Sequence, residues 1–421
     1  MNRFTLKFNL NFNLDFHFKP GGSQLLRSLA LCSFFLLLGL AGCTASTPEG
    51  TPGGTLLRTI DLWVGETERV TLSNGKSVEV SLLQVDAVAD NVRGAIRRWT
   101  VELKVDGKPL ALECGNYRLP NLFNSVQIDC TITGPYRENN REWMDPWKLK
   151  KDARLRLWPK GSPLVKPGTF VYPVKQRWFA SGTQMANEPC YVDGSDLPSA
   201  KSVYYHNGLD IGGSESQVEV VAATDALVVS KGDDVLAGHE ENTPVVPRYD
   251  VIYLLDDRGW YYRYSHLYSI DEGVTLGERV EIGQTLGLLG KEGGSGGWSH
   301  LHFAIYSRQP SNEWGTQEGY ALLWESYQNE YQPDVVAVAR PHHLIWAGET
   351  VTLDASRSRS RAGEIKSFEW TFTDGTTASG PQVESTYTRS GAYSEVLKVT
   401  DPEGRVGYDF AIVQVIEKQE H

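Results

Sequence analysis

Trp298-Ser299-His300-Leu301-His302-Phe303-Ala304-Ile305-Tyr306 alternates residue types with the period of a β-strand. In that pattern His300 and His302 leave one face while Leu301 and Phe303 leave the other, so two imidazoles converge on a single region. Two further pieces lie upstream: His206-Asn207-Gly208-Leu209-Asp210 and Tyr264-Ser265-His266-Leu267. These three pieces hold four of the nine histidines, all within one glycine-rich stretch between Tyr204 and Tyr306. The His206 to Asp210 spacing also suits one helix face, but Gly208 and Gly212-Gly213 argue for a strand end and a tight turn. Imidazole and carboxylate are both zinc ligands, and a catalytic zinc takes three protein ligands plus water. Two histidines and one aspartate meet that count, whereas each short motif taken alone recurs by chance.

The order of these pieces resembles the catalytic domain of the M23 family of zinc metallopeptidases, the lysostaphin-like peptidoglycan endopeptidases. The resemblance runs through His206-Asn207-Gly208-Leu209-Asp210-Ile211, Val220 to Val228, Tyr264-Ser265-His266-Leu267, Val280 to Gly287 and His300-Leu301-His302-Phe303. It implies an antiparallel β-sheet core with a Zn²⁺ cofactor. It assigns His206, Asp210 and His302 as metal ligands, and His266 and His300 as catalytic histidines. His300, on the same strand face as His302, is the first candidate for general base, and His266 for stabilising the oxyanion; the resemblance leaves that division open. Two departures bear on substrate preference. Ala304 stands where many members carry an acidic residue, and Gly293 to Ser299 replaces the usual threonine-glycine-proline approach. Ala237 to Arg248 reads as an inserted loop at the rim of a groove.

Outward from this core, Leu29 to Leu40 is an apolar run after a basic, aromatic-rich start, too short for a comfortable membrane span and suited to a signal peptide. Leu40-Ala41-Gly42-Cys43 looks like a bacterial lipobox, which makes Cys43 the lipidation site and residues 1–43 the signal segment. The expected location is the bacterial cell envelope, at the outer membrane or cell surface, anchored through lipid on Cys43. Residues 44–54, rich in Thr, Pro and Gly, read as a flexible linker. Residues 55–163 alternate with period two between Gly, Asn and Asp turns, a small antiparallel β domain of unassigned role. Cys114 and Cys130 flank one apparent hairpin and are candidates for a disulfide outside the cytoplasm, leaving Cys190 as a buried free thiol.

Residues 164–333 then hold the peptidase-like domain. Its lead-in carries Asn187 and Glu188, either of which is placed to fill a metal's open position and keep the enzyme latent. Residues 334–418 resemble a PKD domain through Gly348 to Ser356, Phe368 to Thr376, Ser385-Thr386-Tyr387 and Gly391-Ala392-Tyr393. That resemblance implies an Ig-like β-sandwich with Trp370 and Tyr387 in its core, an Asp374-Gly375 turn, and a polysaccharide or protein partner. The fold expected overall is mainly β, a peptidase core flanked by an N-terminal β domain and a C-terminal sandwich.

A net charge of −11 excludes a nucleic-acid partner. The leading reading is an exported zinc endopeptidase whose substrate is peptidoglycan or another cell-surface peptide. The contrasting one is an inactive scaffold that binds cell wall or regulates another hydrolase; retention of all five active-site positions favours catalysis.

Overall fold

The computed structural model of the chain describes residues 56–139, 145–178, 180–190 and 204–418. The signal segment, Cys43 and the 44–54 linker lie outside the described residues. Among the described residues no helix is long and apolar enough to cross a membrane.

The first region is two antiparallel sheets. One runs through Thr67–Thr71, Ser77–Ala89, Ile96–Val105 and Lys108–Cys114 as neighbours in chain order. The other places Ala153–Pro159 between Arg58–Leu62 and Val126–Thr133, with Asn121–Phe123 at its edge. Val78, Val80 and Leu82 alternate with polar neighbours and turn to a core shared with Val101, Leu103, Ile128 and Leu155. Period-two patterning therefore does here what it does in any two-sheet fold: one face of each sheet excludes water.

The expected disulfide in this region is not formed. Cys114 and Cys130 are both buried free thiols. Cys114 donates to the Leu112 carbonyl at 3.5 Å and Cys130 to the Ile132 carbonyl at 3.7 Å. Burial, and the Cys130 thiol beside it, push the Cys114 thiol well above its ordinary range.

The second region is built on a long antiparallel sheet. Its order is Asp234–Val235, Ala226–Lys231, Ile252–Asp256, Tyr261–Ser265, His300–Arg308, Leu209–Gly212 and Thr183–Gln184. A three-stranded sheet of Glu219–Val221, Thr285–Leu289 and Leu267–Ile270 accompanies it. Val220, Leu254, Tyr262, Tyr264, Leu286, Leu301 and Phe303 fill the apolar centre. The central His300–Arg308 strand pairs on both sides, Phe303 facing Tyr264 across one neighbour and Leu209 across the other. One element departs from a purely β reading of residues 164–333. Tyr320–Tyr331 is an α-helix whose buried face, Leu323 and Tyr327 included, packs with Trp178 and Tyr172.

The third region has a five-stranded sheet, His343–Trp346, Val406–Ile416, Gly391–Thr400, Ser367–Thr371 and Thr377–Ser379, facing the pair Glu349–Asp354 and Gln382–Tyr387. Trp370 is fully buried between them and donates its indole N–H to the Gly380 carbonyl at 3.2 Å. Tyr387 is buried too. Gly375 adopts φ +84° and donates to Phe372 O at 2.8 Å, which closes the Asp374-Gly375 turn.

Candidate active site

Strand pairing assembles the site. Asp210 lies opposite His302 across the Leu209–Gly212 and His300–Arg308 ladder, and Ser265 lies opposite His302 on the other side, which delivers His266 at the strand end. His206 reaches the same place because the chain turns at Gly208, φ +83°. A Cβ on Gly208 would sit 2.8 Å from the Phe303 carbonyl oxygen and 3.2 Å from the His302 ring, so the position needs glycine both for backbone freedom and for room.

Nε2 of His206, Oδ1 of Asp210 and Nδ1 of His302 face one another. The separations are 3.1 Å for His206 to Asp210, 3.0 Å for His206 to His302 and 2.8 Å for His302 to Asp210. Tetrahedral ligands bound at 2.0–2.1 Å from zinc sit about 3.3 Å apart, so these atoms already form nearly one face of such a tetrahedron. His206 donates its other ring N–H to the Met185 carbonyl at 3.2 Å, which directs the Nε2 lone pair inward. All three residues are buried. Burial pushes His302 down to about 3, keeping it neutral as a ligand must be. Burial opposes the charged form at Asp210 as well, yet His206 and His302 beside it hold the carboxyl well below the usual range. His206 shifts upward, the pull of Asp210 outweighing burial. The donor set, two nitrogens and one carboxylate oxygen around one point, fits zinc.

The other two histidines stand beside this centre. His300 donates Nδ1–H to the Trp298 carbonyl at 3.0 Å, and its Nε2 lies 3.4 Å from Asp210 Oδ2. Burial, with the neighbouring His266, brings it down to about 4 despite Asp210. Its ring stacks on the Trp298 indole at 4.0 Å and 20°. His266 Nδ1 lies 2.6 Å from Glu292 O and 3.2 Å from Arg248 Nη2, and its ring centre is 4.7 Å from that of His300. His266 itself has φ +68°. That strain is held by Asp250, whose Oδ2 accepts the His266 backbone N–H at 2.9 Å and whose carboxylate is gripped by Arg248.

The sequence reading missed Asp250, Arg248, Trp298 and the Met185 carbonyl. Trp298 carried a signal, two residues before His300 on the same alternation. Asp250 carried none, because what it holds is a backbone amide 16 residues away. Asn187 and Glu188, the two residues considered for latency, are both bonded to other partners. Asn187 donates its side-chain amide to the Thr131 carbonyl at 3.0 Å, and both Glu188 oxygens accept from Arg340 at 2.9 and 2.8 Å. Of the 237–248 loop, Arg248 reaches the cleft.

Comparison with known proteins agrees with this geometry. Residues 204–313 match the model of peptidase family M23, and residues 332–415 match that of the PKD domain. Collagenase ColA of Clostridium perfringens is 30% identical over 81 residues, which are 19% of this chain and 7% of that protein. The chain therefore spans under a tenth of the length of that curated relative. Among solved structures, the catalytic domain of the antimicrobial peptidase lysostaphin from Staphylococcus simulans shares 22% identity over 35% of this chain and 99% of its own, with a TM-score of 0.24. The PKD1 domain of Vibrio anguillarum Epp shares 28% identity over 20% of this chain and 98% of its own, with a TM-score of 0.18. Residues 204–313 of this chain belong to peptidase family M23, and residues 332–415 are a PKD domain.

Proposed function

We propose that the chain is a zinc-dependent endopeptidase that hydrolyses peptide bonds in peptidoglycan, at cross-links or in stem peptides. The observation that carries this reading is the convergence of His206 Nε2, Asp210 Oδ1 and His302 Nδ1 within 3.1 Å, flanked by two more imidazoles. His206, Asp210 and His302 would hold the ion. When bound, zinc lowers the pKa of its water to about 7 and polarises the scissile carbonyl.

The remaining work falls to the protein's own groups. His300, with Nδ1–H committed to Trp298 O, offers the Nε2 lone pair to the attacking water's proton and returns that proton to the leaving amine. Stacking on Trp298 fixes the ring's plane. His266, whose Nδ1 is engaged by Glu292 O and Arg248, has Nε2 left to face the developing oxyanion.

Export and attachment to the cell envelope through lipid on Cys43 complete the proposal, with the PKD domain engaging polysaccharide or protein there. The test is metal content by emission spectrometry, followed by digestion of purified sacculi. The wild type is expected to bind one zinc and release new amino termini. His300→Ala is expected to keep the zinc and lose about 10²–10⁴-fold in rate, the usual contribution of a general base. A chain that loads no zinc and frees no termini would end this reading.

A further inference from the structure

The cleft over the five site residues has a second wall that the reaction above leaves unused. The cavity is about 950 Å³, the upper end of the range for ligand sites, and the PKD domain lines one side of it with His342, Leu344, Ile412 and Gln414. Along Val406–Ile416 the residues Asp409, Ala411, Val413 and Val415 point into the sandwich and are buried. Strand alternation then puts Ile412 and Gln414 on the outer face, and here that face looks into the cleft. His342 accepts the Ile412 backbone N–H on Nδ1 at 3.0 Å, which holds its ring against this strand.

The wall is fixed relative to the metal position. Arg340, 3% exposed, donates Nε–H to the Tyr117 hydroxyl at 2.8 Å and Nη2–H to Thr183 O at 3.0 Å and to the Glu188 carboxylate at 2.8 Å. Thr183 pairs with Ile211, next to the ligand Asp210 on the same strand. A second tie joins Trp346 Nε1 to Asn91 O at 3.1 Å. Three of the four arginines lining the cleft are paired with carboxylates, Arg97 with Asp90, Arg248 with Asp250 and Arg340 with Glu188, while Arg263 lies over the Tyr253 ring. Such a surface suits an uncharged stretch of chain better than an anionic one.

We propose that the PKD domain is the far wall of the substrate cleft, with Ile412 and Gln414 contacting a near-neutral extended peptide that continues beyond the scissile bond. The two residues are specificity determinants that select substrates long enough to span from the imidazoles to this strand. This deepens the peptidase reading and rests on it.

The experiment titrates the zinc-loaded full chain, carrying His300→Ala to prevent turnover, with two muropeptides released from sacculi by a muramidase. One is a cross-linked dimer and the other an uncross-linked monomer, each followed by calorimetry. Adding Ile412→Trp, which fills the cleft from an outward position, is expected to weaken the dimer at least tenfold and leave the monomer unchanged. Gln414→Ala is expected to weaken the dimer about threefold to fivefold. Matching thermal melts show that the outward substitutions leave the fold intact. Equal effects on both ligands, no effect on either, or no binding of the dimer by the parent chain would overturn the wall. Selective loss of dimer binding, together with no release of termini by the wild type, would keep the wall and remove the peptidase reading.

Discussion

Arg340 and Asp210 sit at two buried ionic clusters built on opposite terms. Around Arg340 donors meet acceptors: Tyr117 OH, Thr183 O and both oxygens of Glu188 surround the guanidinium at 2.8–3.0 Å. Around Asp210 three atoms that can each accept, His206 Nε2, Asp210 Oδ1 and His302 Nδ1, lie within 3.1 Å of one another. Burying polar groups without full pairing is costly, so it persists only where something else is meant to supply the missing charge. The first cluster joins three regions of the chain. The second is a group of donor atoms that could hold a cation.

The sharpest way to break the second cluster is Asp210→Asn. The amide keeps the shape, removes the negative charge and offers only a weak neutral oxygen to a divalent ion. Zinc stoichiometry is expected to fall from about one towards zero, and peptide release from sacculi to fall about 10³-fold or more, the loss of several kcal/mol of transition-state stabilisation. Emission spectrometry and amino-terminal labelling read the two effects separately. Unchanged zinc content in the variant would show that the three atoms are an ordinary buried polar cluster.

Arg340→Met tests the first cluster in the other direction. It leaves the Glu188 carboxylate, 12% exposed, without its guanidinium. Removing one partner of a buried pair costs about 3–5 kcal/mol, whereas replacing both with apolar groups is often close to neutral. Denaturant midpoints are expected to drop in Arg340→Met and to recover most of the loss in the Arg340→Met, Glu188→Leu double variant. Zinc content should hold in both. Loss of zinc with the first substitution would mean that the two clusters are one device.

The same contrast explains what could be read from the chain. His206, Asp210, His266, His300 and His302 are chemically distinctive residues whose spacing follows strand alternation, and the structure brings all five to one cleft. Trp370 and the Asp374-Gly375 turn were equally local. The Arg340–Glu188 pair spans 152 positions, and nothing in either neighbourhood marks the other. Asp250 acts on a backbone amide, a partner without any side-chain signature. Spacing misled at Cys114 and Cys130, because it says that two thiols can approach and nothing about the carbonyls that take their hydrogens. The helix Tyr320–Tyr331 had a signal in Tyr320, Trp324, Tyr327 and Tyr331, spaced three and four apart, but a β expectation for the whole region absorbed it. The cleft's second wall depends on how two sheets meet, which periodicity does not encode.

Gly208 joins the legible and the illegible, and its substitution gives the smallest effect of the three. From sequence it marks a turn between two ligands. Its φ of +83° explains why glycine serves there, and the 2.8 Å approach of a built Cβ to Phe303 O shows that the turn is pressed against the strand bearing His302. In Gly208→Ala the methyl must push that strand away or rotate the turn, and either motion moves His206 relative to His302. The backbone conformation alone costs about 1 kcal/mol. A displaced ligand is expected to weaken zinc by about 10–100-fold, the range seen when groups that orient metal ligands are lost. Competition with a chelating dye measures this directly, and excess zinc should restore most of the rate. A variant that binds zinc as the wild type does would mean that His206 and His302 are held by Met185 O and the sheet alone, with the turn playing no part in setting their separation.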